Sequence, residues 1–421
     1  MKNKSGATLH RRRFLQAAGM TTGFAVASPL LSLGDAFAAP QSHLRVGLLL
    51  PQRSTFTSLP VENVLSGIRL GLRSEPRRGT FGLRAECVSE TPTGGYAGLS
   101  TAVERLLAEA RVDVLVGFFG NIIPEPVLKA CERHHTALIV ADAGANLAAH
   151  RKPHSLVFYN SLNYWQANWA LGAWAARQTG QRAALVSSFY ESGFDAHNTL
   201  RLGFEAEGGE IAAVAISRIH GQPFSFKQMF QDIRQTNPDC ILAAQTGRDA
   251  GAFLNAYVKS GLHREVPLVS TGFTLDMAQR LHKQSPLPAA VSAVAWDARL
   301  ATPANPAFLN EFRSFTHREA DAFGVLGWEI GRLLGDTHQV TGGRWHDSDR
   351  VAAALTSVAL HSPRGRIAMD ARTQTMRGPV YLCEPGSQGL RELPSVDECA
   401  DCLSILRTGP RSGWTNSFLI G

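Results

Sequence analysis

RAALVSSFYESGFDAHNTLRLGFEAEGGEIAAVAI, residues 182–216, decides the fold. Arg182 to Val186 is a short apolar run that reads as a buried strand. Ala196 to Glu207 reads as a helix, and Ile211 to Ile216 returns to a strand. Consecutive parallel strands need a crossover of about a dozen residues, and a helix supplies it. Downstream the rhythm continues with a helix over Ser225–Thr236, a strand over Cys240–Ala244, a helix over Asp249–Ser260 and a strand over Val266–Ser270. Upstream, Trp165–Thr179 is a helix. A matching run lies nearer the start. Strands are expected over His43–Leu50, Leu83–Val88, Val112–Gly117 and Ala137–Val140. Helices fall between them over Val61–Leu72, Ala97–Glu109 and Ile123–His134, the last with Pro124 and Pro126 confined to its first turn. Strands alternating with helices predict parallel sheets covered on both faces. Two such runs, before and after about residue 160, predict an α/β protein of two Rossmann-like lobes.

Beyond Gln284 the pattern changes. Ser285-Pro286-Leu287-Pro288 reads as a linker and Ala290–Trp296 as a strand. Phe308–Phe315, Phe323–Leu334 and Val351–Ala359 read as helices, Val380–Cys383 as a short strand, and residues 386–421 as an extended, cysteine-containing tail.

The N-terminus reads as a targeting segment. Lys2, Lys4 and Arg11-Arg12-Arg13 precede an apolar stretch from Ala17 to Leu33, and Ala36-Phe37-Ala38 offers the small residues of a cleavage site. The run Arg11-Arg12-Arg13-Phe14-Leu15-Gln16 resembles a twin-arginine signal. Residues 1–38 are therefore expected to be a cleaved signal peptide and the chain to be periplasmic. Removing them takes away five basic residues and one acidic residue, which lowers the net charge from +7 to +3. That balance, with no basic block interleaved with aromatics, leaves no nucleic-acid footprint.

Six cysteines in an exported chain point to disulfides. Cys399 and Cys402 form a CxxC pair with Cys383 upstream. A structural disulfide, a redox pair and a metal site compete for these three. Zinc normally needs four ligands, and no fourth is near.

The chain resembles the leucine/isoleucine/valine-binding family of type I solute-binding proteins of ABC transporters. The resemblance spans residues 44–385 and rests on a set of short segments in order. They are Arg45-Val46-Gly47-Leu48-Leu49-Leu50-Pro51, Val114-Leu115-Val116-Gly117, and Arg182 to Val186 followed by Gly193. Gly203 to Gly209, Asn237-Pro238-Asp239-Cys240-Ile241-Leu242 and Ser362-Pro363-Arg364-Gly365 complete them. The resemblance implies a hinge of three crossover strands, with crossings near Ser161, near 285–290 and near 361–365. The first lobe is then 44–160 plus 290–360, and the second 161–285 plus 365–385. It also implies a monomer that binds a small solute without a cofactor, transforms nothing, and partners an ABC permease in the inner membrane. The same fold would serve a ligand-sensing subunit, and a twin-arginine-exported enzyme is a third reading.

In open α/β sheets ligands bind beyond the carboxyl ends of the strands. The loops there offer Phe56, Phe119, Gly120 and Asn121, then Ala143 and Gly144, from the first lobe. Tyr164, Tyr190, Ser192, Thr246, Gly247 and Phe273 are the candidates from the hinge and second lobe. Small residues let backbone approach a ligand, helix N-termini favour anions, and rings suit an apolar or aromatic ligand. Asp142 is expected to cap a helix or to meet a cation. In amino-acid-binding relatives an acidic residue anchors the ammonium just after the strand that here ends at Ser270. Phe273 stands near that position, with Asp276 a few residues late. The resemblance therefore implies an apolar or aromatic acid, amide or amino-acid-like ligand, and disfavours a plain α-amino acid. No GxSxG, HExxH or Walker sequence is present to support catalysis.

Overall fold

The apolar runs read from the sequence pair into two sheets. The computed structural model describes residues 43–51, 61–73, 83–119, 123–147, 154–193, 195–217, 223–275 and 289–394. The signal segment, Phe56, Gly120, Asn121, Asp276, Cys399 and Cys402 lie outside the described residues.

Strands β1 (His43–Leu49), β2 (Arg84–Glu90), β3 (Val114–Gly117), β4 (Ala137–Asp142) and β5 (Val157–Ser161) build the first sheet. Strands β6 (Arg182–Ser188), β7 (Glu210–Ser217), β8 (Cys240–Ala244), β9 (Leu268–Ser270) and β10 (Ala290–Val294) build the second. The chain then returns to the first sheet with β11 (Ala359–Ser362), β12 (Gly365–Asp370) and β13 (Thr375–Arg377). It ends in the second with β14 (Val380–Cys383) and β15 (Arg391–Leu393). The orders are β11-β12-β13-β5-β4-β3-β1-β2 and β15-β14-β10-β9-β8-β6-β7. Pairing among β1 to β5 and among β6 to β10 is parallel throughout, as the alternation with helices requires.

Two expected lobe boundaries move. Residues 290–294 were expected in the first lobe, yet β10 pairs in parallel with β9, Ala290 opposite Leu268, and so belongs to the second. The segment 361–365 was expected to cross between lobes. It is instead a hairpin turn, with Ser362 opposite Gly365 and Gly365 at φ +103°. Only glycine takes that backbone conformation freely. Residues 365–377 therefore stay in the first lobe, docked by Thr375 on Tyr159 of β5. The third crossing falls at Gly378-Pro379, between β13 and β14. The helix expected to reach Ala359 stops at Thr356, because Ala359 already pairs with Ala368. Part of the expected tail is ordered, since β15 pairs antiparallel with β14.

Each lobe carries one tightly crossed helix pair, and these pairs aim the site. In the first lobe the helix Val61–Arg73 packs on the helix Ala322–Thr341. A Cβ at Gly67 would lie 2.2 Å from the Gly324 carbonyl oxygen, and one at Gly327 would lie 2.1 Å from that of Val64. In the second lobe Tyr164–Gln178 packs on Asp195–Ala206 in the same way. There Gly172 and Gly203 would each bring a Cβ within 2.1 Å of the facing backbone, at Leu200 and Trp169. Backbone contact at these crossings leaves no room for sliding. It fixes the N-terminal ends of the helices, where Phe323 and Tyr164 sit. Asp321 caps the first of them, accepting from Gly324 N–H at 2.7 Å while Asn63 Nδ2 donates to its other oxygen at 2.8 Å. Asn163 precedes the second in the left-handed region, φ 51°, a conformation that asparagine tolerates.

Candidate functional site

Three rings meet between the lobes. Tyr164 and Phe273 have centroids 4.1 Å apart, and Phe273 lies nearly parallel to Phe323, at 5.9 Å and 8°. Tyr164 comes from the first crossing, Phe273 from the turn after β9, and Phe323 from the first-lobe helix. Offset ring pairs of this kind are worth about 0.5–1.5 kcal/mol each beyond the area they bury. Beside them is a cavity of about 320 Å³, lined by Leu162, Tyr164, Phe273, Trp296 and Phe323, with Arg299 at its edge. That volume falls within the usual range for small-molecule pockets. Arg299 is already engaged, by Asp297 at 2.9 and 3.0 Å and by Cys383 Sγ at 2.7 Å. Burial pushes the Asp297 carboxyl up, but hydrogen bonds from Arg299 outweigh it and hold the group below its ordinary value.

On its other side the Tyr164 ring reaches a polar layer at the carboxyl ends of β6, β8 and β9. Glu191, in the 3₁₀ turn Glu191–Gly193 directly after β6, is buried. Burial raises its carboxyl to about 7. No group among the described residues donates a hydrogen bond to it. The Tyr164 hydroxyl is pushed well above its ordinary pKa, by burial first and then by the charge of Glu191, against weaker help from Thr271 and Asn168. Neither of those neighbours gives Tyr164 Oη a bond of sound geometry. Gln245 reaches past the end of β6, its Oε1 accepting from Ser217 Oγ on β7 at 3.1 Å. Its Nε2, Ser187 Oγ and Asn168 Oδ1 have no partner among the described residues. Most buried polar atoms in folded proteins are paired, so unpaired ones near the ends of these strands mark a place where a polar group could enter.

The remaining sequence candidates divide. Ala143 and Gly144 do not present free carbonyls to a cleft. Their oxygens accept from Tyr164 N–H at 3.1 Å and Trp165 N–H at 2.8 Å, which ties the β4 loop to the hinge helix. Asp142 Oδ1 accepts from Gly144 N–H at 2.9 Å, within its own turn. Phe119 is fully buried in the first-lobe core with Leu49, Leu115 and Val127. Its ring lies over Gly117, where a Cβ would come within 2.5 Å of it. Tyr190 is half-buried against Leu147 and Trp165. Ser192 Oγ donates to the Phe189 carbonyl at 2.8 Å. Thr246 precedes the helix Gly247–Lys259 without using its hydroxyl as a cap, which leaves the first amides of that helix uncovered by it. Among the described residues Cys383 has no disulfide partner. Glu191, Phe323 and Trp296 were not among the candidates. Glu191 adjoins Tyr190 on a strand-end loop and was open to notice there. Phe323 comes from a helix that the strand-end rule does not cover.

The lobes also touch directly. Asp195 Oδ2 accepts from Leu147 N–H at 2.9 Å, Ala145 O accepts from Ala196 N–H at 2.8 Å, and Asn146 Oδ1 accepts from Asp195 N–H at 3.4 Å. The β4 loop of the first lobe thus sits on the N-terminus of a second-lobe helix, where the helix dipole favours acceptors. Among the described residues there is no cluster of metal-ligating side chains, and no helix is long and apolar enough to cross a membrane.

Comparison with known proteins gives one description of this architecture. Residues 43–389 match the sequence profile of the periplasmic binding proteins. Among solved structures, a solute-binding protein of an ABC transporter from R. palustris, in complex with benzoate, is similar at 23% identity and a TM-score of 0.67. The match covers 84% of this chain and 97% of that one. An ABC transporter substrate-binding protein from Sphaerobacter thermophilus is similar at 22% identity and 0.67, over 81% and 93% of the two chains. A leucine-, isoleucine-, valine-, threonine- and alanine-binding protein from Brucella ovis, in a closed conformation, is similar at 16% and 0.68, over 83% and 94%. No curated protein sequence matches at a significant level.

Proposed function

Because the chain belongs to the periplasmic binding protein family, we propose that it captures a small aromatic or apolar acid or amide between its lobes and hands it to an ABC permease in the inner membrane. The observation that carries this reading is the ring set at the position of the missing ammonium anchor. Phe273 lies against Tyr164 and Phe323, beside a cavity of about 320 Å³. A buried ammonium left without a counter-charge there would cost several kcal/mol, whereas a ring would gain stacking and apolar burial. The benzoate complex of the similar R. palustris protein supports the choice of ligand class.

Delivery to a permease agrees with the basic and apolar N-terminal segment, read as a signal cleaved after Ala38, and with a monomeric binder in the periplasm. In the same reading Phe56, Gly120 and Asn121, which lie outside the described residues, remain ligand candidates. The uncovered amides at Gly247, with Thr246, receive its carboxylate. Closure of two lobes on a hinge is the recognised way in which such a binder buries its ligand. Thermal denaturation with added ligand tests this. Benzoate at a hundred times its dissociation constant should stabilise the protein by about 2.7 kcal/mol. No shift with benzoate or with the deaminated acid of leucine, alongside a clear shift with leucine, would remove the reading.

A further inference from the structure

We propose that Glu191 sets ligand choice at the second-lobe floor of the cleft, by accepting a hydrogen bond from a donor on the ligand, a ring hydroxyl or an ammonium. The proposal rests on the reading that a small organic molecule is held between the lobes.

Glu191 is 5% exposed. Its carboxyl is near enough to the Tyr164 hydroxyl for its charge to act on it, and the Tyr164 ring touches Phe273. The acid therefore lies at the polar end of the ring set, where a ligand stacked on Phe273 would direct its own polar end. A buried carboxylate without a donor loses its hydration and gains nothing in return. Water can fill such a place only where several partners converge. Tyr164 Oη and Asn168 Oδ1 on the hinge helix, and Ser187 Oγ and Gln245 Nε2 at the carboxyl ends of β6 and β8, have no partner among the described residues. Ser187 on β6 lies opposite Ala244 on β8, which puts Ser187 and Gln245 at the same end of the sheet. A hydroxyl suits this set best, because it donates to a carboxylate and accepts from an amide in one atom. An ammonium can only donate, and would leave Gln245 Nε2 unpaired.

The test is calorimetry of the purified protein and of its Glu191→Gln and Glu191→Leu variants, with benzoate, 4-hydroxybenzoate and leucine. The wild type should bind 4-hydroxybenzoate at least tenfold more tightly than benzoate. Glu191→Leu should bring the two to parity and Glu191→Gln should fall between. Near- and far-UV circular dichroism spectra matching those of the wild type show that both variants are folded. If leucine binds instead, and its binding is lost in both variants, the donor is an ammonium; Glu191 keeps its role while the aromatic-acid reading falls. A hydroxyl preference that survives in Glu191→Leu overturns the proposal and leaves the aromatic reading standing. Equal affinity of the wild type for the two benzoates, with leucine indifferent to both variants, does the same. A wild type that binds none of the three removes both.

Discussion

Breaking the ion pair at the base of the hinge should cost more stability than any surface change. Arg364 and Glu329 are both fully buried. Arg364 Nε donates to Glu329 Oε1 at 2.7 Å and Nη2 to Oε2 at 3.1 Å, while Nη2 also donates to the Ser161 carbonyl at 2.9 Å. Ser362 Oγ and Asn160 Nδ2 donate to the same carboxylate, and the Tyr381 hydroxyl donates to Arg364 O at 2.9 Å. Arg364 thus joins the end of β5 through its side chain and β14 through its carbonyl to the hairpin turn it occupies, next to the first and third crossings. Glu329→Gln keeps the shape and strands a buried guanidinium. Arg364→Met strands a buried carboxylate. Removing one partner of such a pair costs about 3–5 kcal/mol, a large share of the 5–15 kcal/mol typical of a domain. The pair itself also carried desolvation, so the double variant Glu329→Leu/Arg364→Met should cost less than the sum by at least about 2 kcal/mol. Urea unfolding followed by tryptophan fluorescence measures all three. Single variants costing under about 1 kcal/mol, or a double that costs the full sum, would refute the reasoning.

Three further outcomes are expected. Glu191 titrates at about 7 in the folded protein against an ordinary 4.5, so the folded state holds its proton more tightly. The stability from that proton is fully present below about pH 4.5 and lost as pH rises through 7, about 3 kcal/mol in all. Glu191→Gln should flatten that slope in ligand-free protein, and an unchanged slope in pH-dependent urea unfolding would contradict it. Asp195→Ala removes a charged acceptor from the interlobe contact to Leu147, worth about 1.5–3 kcal/mol. It should enlarge the radius of gyration in solution scattering and weaken ligand binding at least tenfold; a variant unchanged in both would deny the contact a part in closure. Gly144 has φ +77°, and a Cβ there would stand 2.5 Å from Asn163 N. Gly144→Ala should therefore destabilise by more than about 1 kcal/mol, and equal melting temperatures would count against it.

The sequence exposed the parallel layers plainly, because each buried strand is a continuous apolar run bounded by a helix of different period. Arg182–Val186 and Cys240–Ala244 needed no tertiary information. The hairpin of β11 and β12 was hidden by its half-exposed pattern, which resembles a loop, and by a turn whose Pro363 and Gly365 suit a crossing equally well. β10 was given to the wrong lobe because a strand's partner is set by long-range register that local composition does not encode. At the site, loop position singled out Tyr164 and Phe273, whose rings the structure brings into contact. The burial of Phe119 in the first-lobe core was not legible, since a ring at a strand end can fold back over a neighbouring glycine as readily as face a cleft. Glu191 was passed over because an acid on a loop looks solvated until a neighbouring helix buries it.

The most direct test of ligand capture between the lobes is titration calorimetry of the purified protein with benzoate and with leucine under one set of conditions. Benzoate should bind at least tenfold more tightly, a difference of about 1.4 kcal/mol, with a negative heat-capacity change from apolar burial. Micromolar binding of leucine with none of benzoate would contradict the assignment of Phe273 and its neighbouring rings as the ligand's seat.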